Sequence, residues 1–473
     1  MRSVCTAGVC VATIALLAGT GFAQQPPLAL SGATVVDVRS GRLVTNQTIV
    51  IAGNRIVAVG PPNATRIPGG ARMIDARTKF VIPGLWDMHV HSAAAATREF
   101  PLYVALGVTG IRNMHTTVDT ALALVSALER AVAAGTLIGP RLIANGATID
   151  GPQPVQQGSV RVRDAESARR AADSLVAGGA DFLKVYIRLP RDAYFALAEQ
   201  AKKHRVPLVG HVPLSIRAEE AADAGQKSFE HSDVLDWACS PKGDSIRTAF
   251  LADPAPNLMK YRRARAEVTM TWTAAHCRPA IAALVRNGTW VVPTLVVAWG
   301  PVAPDSALAD SSARAVTPTP TLAQWRTDNA DVPPEAKRIW AAEVRTGVEL
   351  VRLLHAAGVP LLAGTDVGNP FVVAGYSLHR ELEMLVGAGL TPLAALQAAT
   401  VNPARFLGAA DSLGTVEAGK VADLVVLDAN PLTSIRNTRR INAVFANGRY
   451  FDRAAIDGLI RSAARAANPS TKP

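Results

Sequence analysis

Ile82-Pro83-Gly84-Leu85-Trp86-Asp87-Met88-His89-Val90-His91 is an apolar run that closes on two histidines one residue apart. On a β-strand, side chains at i and i+2 share a face. His89 and His91 therefore project together and offer half of a transition-metal site. A bare His-x-His pair also arises among core or surface histidines. The glycine turn and the strand-like run ahead of this pair favour ligands at a strand end.

Eight apolar runs alternate with helical stretches along the chain: 82–91, 108–113, 140–146, 181–187, 207–212, 227–231, 289–295 and 360–366. The intervening segments 120–135, 164–178, 191–204 and 215–224 carry alanine-rich helical periodicity. This alternation predicts a parallel α/β fold, and eight units predict a (β/α)8 TIM-like barrel. In such a barrel, functional residues gather at the C-terminal ends of the strands. Four later runs carry a candidate metal ligand at or near that end: Lys184, His211, His231 and Asp366. Each has a plainer alternative. A strand-end lysine snorkels to solvent, the two histidines can be satisfied core residues, and Asp366 can cap a helix.

The segments Pro83 to His91, Gly107-Val108-Thr109, Phe182-Leu183-Lys184-Val185, Gly210-His211, Glu230-His231-Ser232 and Gly364-Thr365-Asp366 stand in a specific order, followed by a tail from Gly414 to Asp428. In that order and spacing the chain resembles the amidohydrolase superfamily, in its imidazolonepropionase-like and prolidase-like branch. The resemblance implies two divalent metal ions, zinc by expectation. His89 and His91 would bind the more buried ion, and His211 and His231 the second. Lys184, N-carboxylated by carbon dioxide, would bridge them as a carbamate. Asp366 would bind the first ion and act as acid and base. The implied activity is metal-dependent hydrolysis of carbon–nitrogen bonds, amide or peptide-like, through a metal-bridging hydroxide, with a dipeptidase as one case. Two metals about 3.5–4 Å apart hold such a hydroxide ionised at neutral pH, and Asp366 would pass its proton to the leaving nitrogen. The resemblance also implies a small β-sandwich domain built from both chain ends, residues 28–80 and 409–455, around a barrel of residues 81–408.

Other functions stay open at this stage. Mononuclear deaminases and imidazolone-type hydrolases of this superfamily carry a His-x-x-Glu on the fifth strand. This chain reads His211-Val212-Pro213-Leu214 and has Lys184 instead. A lactonase or phosphotriesterase activity could use the same centre. A catalytically dead scaffold is opposed by the complete set of ligand types. Val212-Pro213 also departs from the prolidase-like pattern, so dipeptide specificity does not carry over. Tyr186, two residues beyond Lys184, shares its face and is a candidate substrate contact. His115, at the end of the second run, is another. Insertions at 233–288 and 297–334 are too long for plain connections. They are read as substrate walls or a lid, against packing elaborations.

A chain of 473 residues exceeds one ordinary core and predicts two domains. Hydrophobic content of 49% with 18% charged residues is globular. The net charge of +11 is spread along the chain. Its nearest cluster, Arg262-Arg263-Arg265, has no aromatic interleaving, so nucleic acid is excluded as a partner and a small-molecule substrate is expected. A homo-oligomer is left open. Residues 1–23, with Arg2, an apolar stretch from Val9 to Leu17 and Gly21-Phe22-Ala23, read as a secretory signal peptide. The protein is therefore expected to be exported, periplasmic or secreted, with no membrane span once the signal is removed. Cys5 and Cys10 would leave with it. Cys239 and Cys277, both inside the first insertion, then invite a disulfide rather than two free thiols. Residues 456–473 form a C-terminal tail, expected to fray beyond about 462.

Overall fold

The structure is a computed structural model that describes residues 26–116, 121–253 and 258–469. The signal segment 1–23 lies outside the described residues.

Seven of the eight apolar runs hold parallel strands: Leu85–Val90, Val108–Asn113, Arg141–Ala144, Leu183–Val185, Leu208–Gly210, Ser228–Glu230 and Trp290–Val292. The first three form one sheet. The last four continue in order in a second, which also takes in the short strands Ile149–Asp150 and Val160–Arg161. The eighth run differs from expectation. It is extended but forms only isolated parallel bridges, Leu361 with Val291 and Val367 with Val90. Backbone bonds from Leu362 N to Val291 O (3.0 Å) and from Met88 N to Ala363 O (2.9 Å) tie it to both sheets. Across the other gap, Asp181 N donates to Ala144 O at 2.9 Å.

The first run also needs correction, because 82–91 is two strands divided at Gly84. Phe80–Pro83 pairs with Leu28–Val36 and Leu424–Leu427, whereas Leu85–Val90 pairs with Val108–Asn113. A Cβ on Gly84 would sit 2.0 Å from Thr109 Oγ1, so only glycine lets the chain pass so close to its neighbour. The strands from the two chain ends join in one eight-stranded sheet. Their period of two divides the apolar side chains between cores. Leu424 and Val426 enter a small core with Leu30, Ile49 and Phe445, and Val425 and Leu427 enter the main core.

The helices follow their apolar stripes. In Ala165–Ala177, Ala168, Ala171, Ala172 and Leu175 are buried, the i, i+3, i+4, i+7 spacing of one helical face. Asp164 caps its first turn by accepting from Ser167 N at 2.8 Å, an interaction worth about 1 kcal/mol. The first insertion folds into helices Gly243–Ala252, Leu258–Met270 and Arg278–Asn287. Cys239 and Cys277 are joined as a disulfide across it, their Cα atoms 4.1 Å apart. The second folds into four short helices, the last Thr319–Ala330, ahead of the long helix Pro334–Ala356. The segment expected to fray is instead helical from Arg453 to Ala467, with Ala463 and Ala467 buried. Asp452 starts that helix by accepting from Ala455 N at 2.9 Å. Among the described residues no helix is long and apolar enough to cross a membrane.

Candidate metal centre

His89 and His91 sit at the end of Leu85–Val90 with ring centroids 5.5 Å apart. Asp366 meets them from the eighth run. Its Oδ1 lies 3.0 Å from His91 Nε2 and 3.4 Å from His89 Nε2. Gly364 permits this approach, since a Cβ there would lie 2.9 Å from His89 Cβ. Asp366 does not cap a helix: it has φ +56° and leads into Val367-Gly368. His231 lies beside His89, centroids 4.6 Å apart, and beside His211 at 4.7 Å. Tyr186 stands over His211 at 4.2 Å. Lys184 is 1% exposed, on the strand beside the one that leads into His211. The structure thus brings His89, His91, His211, His231 and Asp366 into one cluster, with Lys184 buried at its base.

Three buried polar atoms in this cluster have no hydrogen-bond partner: His89 Nε2, His211 Nδ1 and Asp366 Oδ1. Leaving a buried donor or acceptor unpaired costs about 1–3 kcal/mol each, and a cation would satisfy them. His89, His91 and Asp366 offer ligand atoms within 4.8 Å of one another. Burial pushes the pKa values of His89, His91 and His211 down, so the rings are neutral, as metal ligands must be. Burial also pushes the Lys184 amine down to about 8, with Asp366 and Glu230 pulling against it.

Several site residues went unread in the sequence. Glu230 is fully buried. It accepts from Arg112 Nη2 at 2.8 Å on both oxygens and from Ser228 Oγ at 2.5 Å. Its Oε2 lies 2.9 Å from His89 Nδ1. Glu230 is thus an acceptor toward His89, so Nδ1 carries the proton and Nε2 presents its lone pair to Asp366. Arg112 is itself fixed by donating from Nε to Met88 O at 2.7 Å. Asp87, also fully buried, accepts from Thr365 Oγ1 at 2.6 Å and from Thr365 N at 3.0 Å, binding the Asp366 loop to the first strand. Asp87 was legible, because 87, 89 and 91 share one strand face. Glu230 was not. His231 has φ +73°, which breaks the alternation that would place adjacent residues on opposite faces.

Above the cluster opens a cavity of about 450 Å³, bordered by Tyr186, His211, His231 and Asp366. Both insertions contribute to it. The first supplies Asp233, Arg262 and Arg265, and the second supplies Val297, Pro301, Trp325, Asp328 and Asn329. His115 is not on its lining: Nδ1 bonds Thr148 Oγ1 at 3.0 Å and Nε2 bonds Gln157 O at 3.2 Å.

Comparison with known proteins places this arrangement. The amidohydrolase family model matches residues 80–450. An imidazolonepropionase of Aromatoleum aromaticum is 50% identical over 72 residues, 15% of this chain and 17% of that protein. An adenine deaminase of Mesorhizobium japonicum is 33% identical over 99 residues, 17% of this chain and 16% of that protein. These matches span less than a fifth of either relative. Among solved structures, a putative prolidase from Bifidobacterium longum is 27% identical with TM-score 0.67, covering 93% of this chain and 99% of that one. A bottromycin amidohydrolase has TM-score 0.71 at 24% identity, covering 93% and 91%. A Xaa-Pro dipeptidase with bound methionine has TM-score 0.67 at 21% identity, covering 90% and 100%. These likenesses imply an α/β, TIM-like barrel architecture. With the family match spanning most of its length, the chain belongs to the amidohydrolase family.

Proposed function

We propose that this protein is a metal-dependent hydrolase of carbon–nitrogen bonds, amide or peptide-like, acting on a small-molecule substrate. The carrying observation is the set of three orphaned buried atoms, His89 Nε2, His211 Nδ1 and Asp366 Oδ1, in one cluster beneath a cavity. The donor set fits two divalent ions, for which zinc is the leading candidate. His89, His91 and Asp366 would hold one, and His211 and His231 the other. Lys184, buried and with its pKa lowered toward neutrality, would join them as a carbamate. Bound there, divalent ions would supply a hydroxide at neutral pH and Lewis acidity toward the scissile carbonyl. Asp366, which points into the cluster, would hold a proton and deliver it to the leaving nitrogen. Asp87 and Glu230 hold Asp366 and His89 in position.

The mononuclear deaminase reading is disfavoured at Leu214. That position, three residues after His211, holds a buried leucine where the shuttle glutamate would stand. The same proposal includes a closed (β/α)8 barrel and a β-sandwich formed from both chain ends. It also includes export, which the Cys239–Cys277 bond supports, since disulfides persist in oxidising compartments. Elemental analysis after reconstitution with zinc and bicarbonate tests the centre, alongside a hydrolysis screen of dipeptides and N-acyl amino acids. Two metals per chain with amide cleavage is the expected result. One metal or fewer would sink the binuclear reading.

A further inference from the structure

Thr294 stands at the N-cap position of the helix Leu295–Val302. A threonine hydroxyl there ordinarily accepts from the N–H groups of its own first turn. This one does not. Those N–H groups go instead to a side chain from far along the chain. Glu381, buried on the helix Tyr376–Gly387, accepts from Leu295 N at 3.1 Å on Oε1 and from Val296 N at 2.9 Å on Oε2. With its own helix capped from outside, the Thr294 hydroxyl is released for another partner. Its Oγ1 lies 2.7 Å from His231 Nδ1.

The backbone at this contact is strained. Thr294 has φ +48°, an outlier for a β-branched residue. Such a conformation persists only where the surroundings over-determine it, and it clusters at functional sites. Glu381 holds the two residues after Thr294. On its other side, His231 N donates to Val292 O at 2.8 Å and Ser232 N to Pro293 O at 3.1 Å. His231, also left-handed at φ +73°, follows the neighbouring strand Ser228–Glu230. Two strained residues at adjacent strand ends thus meet through one side-chain hydrogen bond.

A histidine that gives Nε2 to a cation keeps its proton on Nδ1 and needs an acceptor there. Asp366 Oδ2, 3.9 Å from the same nitrogen, is too far to be that acceptor. We propose that Thr294 is a positioning residue for His231: its hydroxyl accepts from Nδ1, fixes the ring's tautomer and orientation, and turns the Nε2 lone pair toward the second metal position. This rests on the reading of His231 as a ligand of that ion. Glu381 acts one step further out, by capping the helix in place of Thr294.

The test uses the full-length, zinc-treated protein with isotope-labelled histidine. A nitrogen–proton correlation spectrum reads which ring nitrogen carries the proton, and the His231 signal is assigned by its absence from His231→Gln. Wild type should show His231 protonated on Nδ1, with that proton protected from exchange with water. Valine is β-branched like threonine, so Thr294→Val leaves the backbone cost unchanged and removes only the hydroxyl. The variant should move the proton to Nε2 or expose it to exchange, and Thr294→Ser should restore the wild-type signal. Chelator competition followed by elemental analysis gives a second measurement. One of the two zinc ions should be held about 10- to 100-fold more weakly in Thr294→Val, the other as in wild type. A His231 proton on Nε2 in wild type, or an unchanged signal in Thr294→Val, overturns the proposal. So does a raised KM with signal and zinc affinity unchanged, which would make Thr294 a substrate contact. If wild type holds one zinc or fewer while the Nδ1 proton still depends on Thr294, the positioning stands and only the two-metal reading fails.

Discussion

Glu230 Oε2 lies 2.9 Å from His89 Nδ1, and this buried contact decides which nitrogen of His89 faces Asp366. The carboxylate is itself held by Arg112 and Ser228, so it cannot turn away. One fixed proton on Nδ1 keeps the Nε2 lone pair directed at the cluster.

Glu230→Gln replaces an acceptor with a group that can donate to His89 Nδ1 and favour the wrong tautomer. Metal affinity is expected to fall about 10- to 100-fold. A chelator competition followed by elemental analysis measures this. Circular dichroism must accompany it, because Arg112 loses its buried counter-charge and the fold is weakened as well. A folded variant with wild-type affinity would count against the tautomer argument.

Asp366→Asn keeps the shape of the side chain and removes its proton acceptor. General acid–base catalysis contributes about 10²–10⁴-fold, so kcat should fall by at least about a hundredfold. More than a tenth of wild-type activity at full metal loading would show that Asp366 is not the proton carrier.

The Cys239–Cys277 bond spans a sequence separation of 38 residues. The chain-entropy model puts its contribution near 4 kcal/mol before strain. Thiol titration of the unfolded, unreduced protein should detect no thiol from this pair, with two appearing after reduction. The double variant Cys239→Ser, Cys277→Ser should unfold at lower denaturant. Because the insertion forms one wall of the cavity, the variant should also raise KM. Thiols reacting without reduction would rule the bond out.

His379 predicts an acid-sensitive contribution to stability. It is 2% exposed, bonded to Thr438 Oγ1 at 2.9 Å and to Leu106 O at 3.1 Å. Burial, helped by nearby Arg439, lowers its pKa to about 3, against about 6.5 in an unfolded chain. Between those values the unfolded state binds the extra proton. The contribution is therefore complete above about pH 6.5 and is lost as pH falls toward 3, by up to about 1.4 kcal/mol per unit. His379→Gln keeps a donor toward Leu106 O but takes up no proton. Denaturant unfolding at pH 7, 6 and 5 should give a steeper decline for wild type than for the variant. Parallel declines would remove His379 as the cause.

Much of the site was legible in local pattern. His89 and His91 follow from strand period two, and Lys184, His211, His231 and Asp366 from the repeat of apolar runs ending on polar residues. These features depend on neighbours in sequence, and a strand or helix displays them whatever surrounds it. The division of 82–91 at Gly84 was hidden, because both halves are equally apolar and only the partner strands distinguish them. The helix to Ala467 was hidden because Ala463 and Ala467 gain their burial from distant packing.

The sequence by itself determined the alternating α/β order, the histidine pair and the positions of the insertions. Only the tertiary structure decided that Glu230 and Arg112, separated by 118 positions, meet beneath His89. The same holds for Asp87, which clasps Thr365 from 278 positions away. The physical reason is that a buried ion pair or an orphaned lone pair is defined by what surrounds it in space. The left-handed backbone at His231 and Asp366, which turns both side chains into the cluster, is held by the same long-range packing.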